Sequence, residues 1–192
     1  MKIGVLALQG AFIEHIRILK RLGADTKQVR RPEQLRVLDG LILPGGESTT
    51  IAQLAHDYGL VEPLRRFALQ KPVWGTCAGM ILMAKRVVGG RSLLETIDID
   101  VERNAFGPQI DSFKADLDIP VLNTFAHRLF PAVFIRAPKI VAVHGKAKVI
   151  ARLKDGTPVA AREEKRLVTA FHPELTGDDR LHRYFLTLAR KE

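Results

Sequence analysis

The sequence predicts an α/β fold in which a mixed β-sheet lies between two layers of helices. In the first half of the chain, short apolar runs typical of buried parallel strands alternate with segments of helical spacing. In the second half, short β-like runs predominate, and Asp155-Gly156 has the composition of a hairpin turn between two of them. We therefore expect a three-layer α/β/α arrangement in which antiparallel strands extend one mainly parallel sheet.

The first half of the chain predicts eight elements. They are strands at 2–7, 26–29, 41–43 and 73–76, and helices at 12–22, 48–60, 61–69 and 78–87. The strand at 26–29 has the weakest pattern. Gly23 is a residue typical of helix C-termini, and Ser48 is suited to cap the second helix. The βαβα order implies parallel strands whose connecting helices cover both faces of the sheet.

The second half of the chain predicts six short strands and a final helix. The strand-like runs are DIDVERN, AVFIRA, IVAVHG, KAKVIARL, TPVAARE and RLVTAF. Residues 179–191 form an amphipathic pattern with Leu181, Phe185 and Leu188 at helical spacing. Because no linker, repeat or low-complexity tract interrupts the chain, we expect residues 1–192 to form a single domain.

The composition is that of a water-soluble globular protein. Apolar residues make up 46% and charged residues 27% of the 192-residue chain, and no apolar run is long enough for a membrane span. The start, MKIGVLALQG, is typical of a first strand and not of a signal peptide. A single cysteine excludes an internal disulfide and a cysteine-rich zinc site. We expect a cytoplasmic protein without a metal site.

The basic character of the chain allows two interpretations. The formal net charge is +9, but lysines and arginines are scattered, with only short clusters such as Arg30-Arg31 and Arg65-Arg66. There is no polybasic tail and little aromatic interleaving. We interpret the charge as a solvated basic surface without a nucleic-acid partner, and keep binding to nucleic acid or to an acidic protein as the alternative.

The single cysteine lies in a nucleophile-elbow pattern. Gly75-Thr76-Cys77-Ala78-Gly79 follows a predicted strand and leads directly into a predicted helix. Such a sharp turn lifts the side chain out of the sheet, and the glycines allow close backbone approach. The helix N-terminus favours a thiolate. The alternative is a buried structural cysteine, but the pattern favours a nucleophile that is exposed and not part of the core.

A thiolate nucleophile needs a base, and His172 is the best candidate among six histidines. It ends the strand-like run TAF and precedes Pro173, which favours an extended backbone. In an extended segment, Glu174 points to the same side as His172 and can orient its imidazole. His15 and His182 lie on predicted helices, and we interpret them as surface or satisfied core residues.

The stretch LILPGGESTT supplies a third candidate element. Pro44-Gly45-Gly46 at a strand end can adopt positive φ and point N–H groups inward. Such donors suit an oxyanion hole, in which the N–H of Ala78, the residue after the nucleophile, would be the second donor. The alternative is an ordinary turn between a strand and a helix.

These motifs together resemble the class I, triad-type glutamine amidotransferases. Within them the chain is most similar to the glutaminase subunits of two-component pyridoxal 5′-phosphate synthases. The similarity rests on the stretches GVLALQGAFIEH, DGLILPGGESTT, WGTCAGM, VERNAFGPQIDSF, VFIRAP and FHPELT, which span nearly the whole chain in family order. The resemblance implies a flavodoxin-like core. It also implies hydrolysis of L-glutamine to L-glutamate and ammonia, which passes to a synthase subunit in a hetero-oligomer, without a cofactor in this chain.

The resemblance also implies roles for individual residues. Cys77 corresponds to the nucleophile, His172 to the general base and acid, and Glu174 to its orienting partner. The residues implied in glutamine binding are Gly46, Glu47, Ser48, Arg103, Ile135 and Arg136. An arginine suits the α-carboxylate of glutamine and a carboxylate suits its α-ammonium group, but the sequence does not assign them.

Three features depart from the family pattern, among them the loosely matched loop 85–96, and two other functions compete with the one implied. Pro108 stands where a basic residue is expected, and the stretch 123–130, NTFAHRLF, matches no motif. The first competing function is that of another cysteine-elbow hydrolase. The second is a non-catalytic basic binding module. Neither requires PGGES and His172-Pro173-Glu174 together.

Overall fold

A mixed sheet of seven strands forms the centre of the protein. The structure is a computed structural model, and it describes residues 1–105 and 112–190. The strands are β1 (Lys2–Leu6), β2 (Asp25–Val29), β3 (Gly40–Leu43), β4 (Val73–Thr76), β5 (Ala84–Val88), β6 (Ile97–Glu102), β7 (Ser112–Leu117), β8 (Phe130–Ile135), β9 (Lys139–Val143), β10 (Lys148–Arg152), β11 (Pro158–Glu163) and β12 (Arg166–Thr169). The helices are α1 (Phe12–Arg21), α2 (Ser48–Asp57), α3 (Val61–Gln70), α4 (Ala78–Met83) and α5 (Arg180–Ala189).

The spatial order of the central sheet is β10-β11-β12-β4-β3-β1-β2. The strands from β12 to β2 run parallel to their neighbours, whereas β11 is antiparallel to both β12 and β10. Every residue of β3, β4 and β12 is buried. This burial explains their nearly continuous apolar sequences, because a parallel strand in the middle of such a sheet is covered on both faces. The predicted α/β class and mixed sheet are confirmed.

The two faces of the sheet can be distinguished at β4. Trp74 packs edge-on against the rings of His15 in α1 and His182 in α5. The next residue, Gly75, faces the opposite way, where a Cβ atom would collide with the backbone of Gly79 in α4. Since successive strand residues point to opposite faces, α1 and α5 lie on one face and α4 on the other. The sheet is therefore the middle layer of three.

The prediction that all later strands extend the central sheet is wrong. Strands β5, β6 and β9 form a separate three-stranded sheet, and β7 and β8 form a separate antiparallel hairpin. Among the described residues of the second half, only β10, β11 and β12 join the central sheet. Periodicity in the sequence identifies a strand but not its neighbour, because pairing is decided by contacts between distant segments.

The predicted helix at 78–87 is also too long. Helix α4 ends at Met83, and residues 84–88 form β5, which runs parallel to β6. Two ion pairs join these strands, Arg86 to Asp100 at 2.8 Å and Lys85 to Asp98 at 3.4 Å. The sequence AKRVV fits either state, and this tertiary pairing selects the strand.

Other local predictions agree with the structure. Gly23 ends α1 with a φ of 79°. The second helix, by contrast, ends at Asp57 and not at the predicted Leu60, because Gly59 adopts a φ of 64°. Gly156 adopts a φ of 88° in the turn between β10 and β11, where Asp155 Oδ1 accepts a hydrogen bond of 2.9 Å from Thr157 N. Helix α5 begins at Arg180, and Lys191 lies outside the described residues. Pro108 also lies outside them.

A buried arginine forms hydrogen bonds with the backbone of the stretch 123–130, which matched no motif. The Arg180 guanidinium donates hydrogen bonds of 2.7–3.0 Å to the carbonyl oxygens of Ala126, Arg128 and Leu129. It also pairs with the Asp178 carboxylate at 2.7 Å, and both side chains are 4% exposed. Arg180 therefore satisfies three backbone carbonyl groups of a largely exposed segment that forms neither helix nor strand before β8 begins.

Candidate active site

Cys77 occupies the sharp corner between β4 and α4. Its backbone has a φ of 48° and a ψ of −104°, which is unusual for a residue with a side chain. Its N–H donates a hydrogen bond of 2.8 Å to Thr169 O, which continues the pairing of β4 with β12. A strained backbone of this kind costs roughly 1–3 kcal/mol and is typical of functional sites. The predicted elbow is present.

The glycines on both sides of Cys77 make this corner possible. A Cβ atom on Gly75 would collide with the backbone of Gly79, and one on Gly79 would collide with Leu43 O in β3. Helix α4 therefore packs directly against the backbone of the sheet. The expectation of an exposed thiol is wrong, because Cys77 is only 6% exposed. Its sulfur lies at the floor of a pocket, where Sγ is 3.9 Å from Ile135 O.

His172 and Glu174 form the expected pair. His172 Nδ1 lies 2.7 Å from Glu174 Oε1, and the Glu174 side chain is completely buried. The local backbone differs from the extended one predicted, because residues 173–175 form a single 3₁₀ turn after His172. The backbone N–H of His172 donates a hydrogen bond of 2.8 Å to Val133 O, which anchors the turn to β8. This turn still brings the two side chains together.

The environment of His172 favours its protonated form. Burial acts to lower the pKa of His172, but hydrogen bonds to Cys77 and Glu174 and their negative charges outweigh this effect and raise the pKa to about 10. At neutral pH both ring nitrogens therefore carry a proton. An imidazolium beside a cysteine sulfur stabilises the thiolate, which is the nucleophilic form.

A pocket of about 270 Å³ opens above Cys77. It is lined by Gln9, Gly46, Glu47, Ser48, Cys77, Ala78, Ile81, Arg103, Asn104, Ile135, Arg136 and His172. Every candidate site residue from the sequence lies here except Glu174, which is behind the His172 ring. Residues from six separate stretches of the chain thus converge on one cavity. Some follow strands of the central parallel sheet, whose carboxyl ends meet at one edge, whereas Arg103-Asn104 and Ile135-Arg136 come from the ends of β6 and β8 in the two smaller sheets.

Glu47 and Arg103 place opposite charges at the mouth of this pocket. The Glu47 carboxylate accepts hydrogen bonds from the backbone N–H groups of Thr49 and Thr50, at 3.2 and 2.6 Å, and so caps α2. The expectation that Ser48 caps this helix is wrong, since Ser48 is its first residue. These hydrogen bonds lower the pKa of the Glu47 carboxyl group, and the bond from Thr50 N–H contributes most. Arg103 Nη2 lies 3.5 Å from Glu47 Oε1.

Ile135 and Arg136 reach the pocket from the end of β8. Arg136 has a φ of 41°, an unusual value for a residue with a side chain, and it is exposed. Ile135 is 37% exposed, which is high for an isoleucine at the end of a buried strand. The turn that follows β8 therefore presents an arginine and an apolar surface to whatever occupies the pocket.

The Gly45-Gly46 turn differs from the expectation. Neither glycine has a positive φ; Gly10, which faces this turn, has a φ of 95°. Gly45 lacks a side chain because a Cβ atom there would collide with the His172 ring, and one at Gly46 would collide with Gln9 Oε1. Close approach, and not a left-handed backbone, is thus the reason for both glycines.

Two pocket residues were not singled out from the sequence. Gln9 was assigned only to a turn, but its Oε1 accepts a hydrogen bond of 2.8 Å from Glu47 N in the neighbouring loop. Asn104, beside Arg103, has a φ of 49° and also lines the pocket. The only sequence signal for either was its position inside a stretch typical of the family. Their proximity to Cys77 depends on the packing of separate loops.

The described part of the chain contains no cluster of three or more histidine, cysteine, aspartate or glutamate residues suited to a metal ion. Among the same residues, no helix is both long and apolar enough to cross a membrane.

Comparison with known proteins identifies the family. Residues 5–191 match the SNO glutamine amidotransferase family. The chain belongs to this family. The pyridoxal 5′-phosphate synthase subunit PdxT of Dehalococcoides mccartyi is 54% identical, with 99% of this chain and 98% of the relative covered. PdxT of Pelotomaculum thermopropionicum is 55% identical, with 97% and 94% covered.

Solved structures agree with this assignment. A crystal structure of a glutamine amidotransferase superposes on this chain with a TM-score of 0.89 and 48% identity, covering 97% of this chain and 98% of that one. PurLQS from Thermotoga maritima superposes with a TM-score of 0.74 at 14% identity, covering 98% of this chain and 99% of that one. The second likeness concerns the fold alone. The fold is therefore the class I glutamine amidotransferase fold that the sequence motifs predicted.

Proposed function

We propose that this chain hydrolyses L-glutamine to L-glutamate and ammonia, and supplies the ammonia to a synthase subunit that makes pyridoxal 5′-phosphate. The observation that carries the proposal is Cys77 on a strained elbow beside the buried His172-Glu174 pair, at the floor of a pocket with opposite charges at its mouth. Family membership supports the glutaminase activity, and the names of the PdxT relatives support the pathway and the partner.

The first chemical step is attack by the Cys77 thiolate on the side-chain amide carbon of glutamine. His172, protonated through its contacts with Cys77 and Glu174, lies beside the sulfur, and a neighbouring imidazolium is what the thiolate nucleophile of such enzymes requires. The carbonyl oxygen becomes an oxyanion, and the N–H groups of Ala78 and Gly46 are the candidate donors to it. One such donor is worth about 3–4 kcal/mol of transition-state stabilisation.

The second step releases ammonia and the third regenerates the enzyme. His172 gives its proton to the amide nitrogen, the C–N bond breaks, and a γ-glutamyl thioester remains on Cys77. His172, now neutral, then takes a proton from water as the water attacks the thioester. Collapse of this second intermediate releases glutamate. Glu174 accepts the Nδ1–H bond throughout and stabilises the imidazolium each time it forms. This sequence requires neither a metal nor an organic cofactor.

The charges at the pocket mouth suit an α-amino acid. Glu47 remains ionised because backbone N–H groups and Thr50 hold its carboxylate, so it can pair with an α-ammonium group. Arg103 and Arg136 are the cations available for the α-carboxylate, to which an arginine can donate two parallel hydrogen bonds. Ile135 offers apolar contact to the methylene groups between the two ends. The pocket thus distinguishes an amino acid from a simple amide.

The proposal is tested by ammonia release from glutamine, measured for this chain alone and during titration with its synthase subunit. We expect little activity alone and a kcat that rises about 10²- to 10³-fold as the complex forms, the effect of completing one oxyanion donor. Mass spectrometry of the acid-quenched complex should find a γ-glutamyl adduct on Cys77. No ammonia release from the complex would refute the glutaminase function. A kcat that stays constant during the titration would refute only the activation.

A further inference from the structure

Two histidines that the proposed chemistry does not use lie directly behind Glu174. His15 in α1 and His182 in α5 are both completely buried. His15 Nδ1 lies 2.9 Å from His182 Nε2, so the two rings share one hydrogen bond. The Trp74 ring packs edge-on against both, with centroids 5.7 and 5.0 Å away. Two buried imidazoles in direct contact are costly to place in a core, so their arrangement requires an explanation.

The outer nitrogen of His15 faces the carboxylate that holds the proposed base. His15 Nε2 lies 3.4 Å from Glu174 Oε2 and 3.3 Å from Thr76 Oγ1. Glu174 Oε1 is already engaged with His172 Nδ1 at 2.7 Å. Among the described residues, Oε2 has no hydrogen-bond partner; His15 Nε2, whose hydrogen bond in this structure is to Thr76 Oγ1, lies within ion-pair distance of it. The Glu174 carboxylate thus lies between two imidazoles.

Chemistry assigns the proton on each ring nitrogen. An ionised carboxylate only accepts hydrogen bonds, so a proton on the His15 nitrogen that faces it is favoured, and the Thr76 hydroxyl that contacts the same nitrogen can accept from it. His15 Nδ1 is then an acceptor, and His182 Nε2 must donate to it. His182 Nδ1 is then unprotonated, and this atom has no hydrogen-bond partner within the described residues. The opposite assignment would bury an unpaired N–H on His182 and point a lone pair of His15 at a carboxylate, so it is disfavoured at both ends.

We propose that His15 is a positioning residue, which holds Glu174 Oε2 through its Nε2–H so that Oε1 stays aligned with His172, and that His182 fixes the tautomer of His15. This inference rests on the proposed glutaminase function for its catalytic consequence but not for its geometry. Burial, together with the charges of His182 and His172, lowers the pKa of His15, and burial lowers that of His182 to about 3. Both rings are therefore neutral, as the tautomer chain requires.

The matched test replaces His15 by the two amides that mimic its two nitrogens. In His15→Gln the amide nitrogen can take the place of Nε2 and still donate to Glu174. In His15→Asn the amide reaches only the place of Nδ1, so the contact with Glu174 is lost. In the complex with the synthase subunit, we expect His15→Asn to lower kcat about 10- to 100-fold with KM little changed, a typical effect of losing an outer-shell partner. His15→Gln should recover most of the lost rate.

A control variant distinguishes loss of the Glu174 contact from general destabilisation of α1. Leu19→Val alters a buried core residue of the same helix without removing any contact to Glu174. It should lower thermal stability while kcat stays close to that of the unmodified chain. Equal kcat values for His15→Asn, His15→Gln and the unmodified chain would overturn the inference. If the unmodified complex releases no ammonia, the proposed function fails instead.

A spectroscopic measurement tests the geometry without any activity. Nitrogen-15 NMR of the histidine-labelled chain distinguishes protonated from bare ring nitrogens. We expect neutral rings protonated at Nε2 for both His15 and His182, with assignments made from the His15→Gln and His182→Gln spectra. A proton on Nδ1 of His15 would overturn the inference whatever the activities of the variants. In His182→Gln, the amide should still donate to His15, and the His15 tautomer should be unchanged.

Discussion

Replacing Glu174 by glutamine isolates the contribution of one buried negative charge. The change conserves the shape of the side chain, which is completely buried and 2.7 Å from His172 Nδ1. The carboxylate accepts from His172 on one side and faces His15 Nε2 on the other, at 3.4 Å. A glutamine amide has one oxygen and one NH₂ group. Whichever way it turns, its NH₂ group faces the N–H of one of the two histidines.

The magnitude follows from the charge that is lost. Two unit charges about 4 Å apart attract by ~4 kcal/mol at an effective dielectric constant of about 20. Loss of that attraction lowers the pKa of His172 toward its ordinary value and removes stabilisation from each imidazolium transition state. Because 1.36 kcal/mol corresponds to a tenfold change in rate, kcat should fall about 10³-fold. The opposed N–H groups add to the loss, so about 10³- to 10⁴-fold is expected.

The assay is steady-state ammonia release from the Glu174→Gln variant in complex with the synthase subunit. Glu164→Gln, which removes an exposed carboxylate, is the control and should retain full activity. An NMR titration should find that His172 loses its proton at lower pH than in the unmodified chain. A kcat within tenfold of the unmodified enzyme would refute the electrostatic argument. If Glu174→Gln proved more damaging than His172→Asn, the assignment of base and orienting residue would be wrong.

Three further predictions address the nucleophile, the glycine turn and the buried arginine. Cys77→Ala and Cys77→Ser should abolish ammonia release without altering the circular dichroism spectrum. In Cys77→Ser, NMR should find that the pKa of His172 is below the value of about 10 that Cys77 helps to maintain. Gly45→Ala places a Cβ atom against the His172 ring, so kcat should fall far more than thermal stability; unchanged kcat would contradict the geometry. Arg180→Met leaves Asp178 buried without its main partner and should cost about 3–5 kcal/mol in urea unfolding.

The pH range over which His172 contributes stability follows from the direction of its pKa change. Because its pKa is raised in the folded protein to about 10, the stabilisation is complete below the ordinary value of about 6.5 and is lost as the pH rises through 10. Unfolding measured across this interval should therefore show a stability loss toward alkaline pH that is smaller in Cys77→Ser.

Local sequence was sufficient where a local cause decides the structure. The buried strands β1, β3 and β4 were predicted because parallel strands covered on both faces need continuous apolar runs. The elbow at Cys77 was predicted from two glycines that flank a cysteine between a strand and a helix, and the structure shows that a Cβ atom at either glycine would collide with neighbouring backbone. The pairing of His172 with Glu174 was predicted from an extended backbone, and it is present although a 3₁₀ turn at 173–175 brings the two side chains together instead.

The remaining features depend on contacts between distant segments. Residues 84–88 form a strand because β6 lies beside them, and the sequence of the segment alone favoured continuation of α4. The contact between His15 and His182 joins residues 167 positions apart, and each histidine by itself is typical of a buried helix residue. Gln9 enters the pocket because its side chain bridges to the loop of Glu47, 38 positions away. No periodicity or motif spacing carries this information.

The proposed activation by a synthase subunit would require an element that can change the rate without altering the catalytic residues, and the glycine turn above Cys77 is suited to that role. Gly45 O accepts a hydrogen bond of 3.0 Å from Ala11 N, so the Gly45-Gly46 peptide has one fixed orientation in the free chain. In a trans peptide the C=O and N–H groups point in opposite directions, so turning the Gly46 N–H requires that this hydrogen bond be exchanged for another. Exchange costs about 1 kcal/mol, whereas a correctly directed oxyanion donor contributes about 3–4 kcal/mol to the transition state. A docked subunit that supplies the replacement partner therefore needs only a modest difference in contacts to switch hydrolysis on, and the turn residues, which lack Cβ atoms, oppose the rotation least.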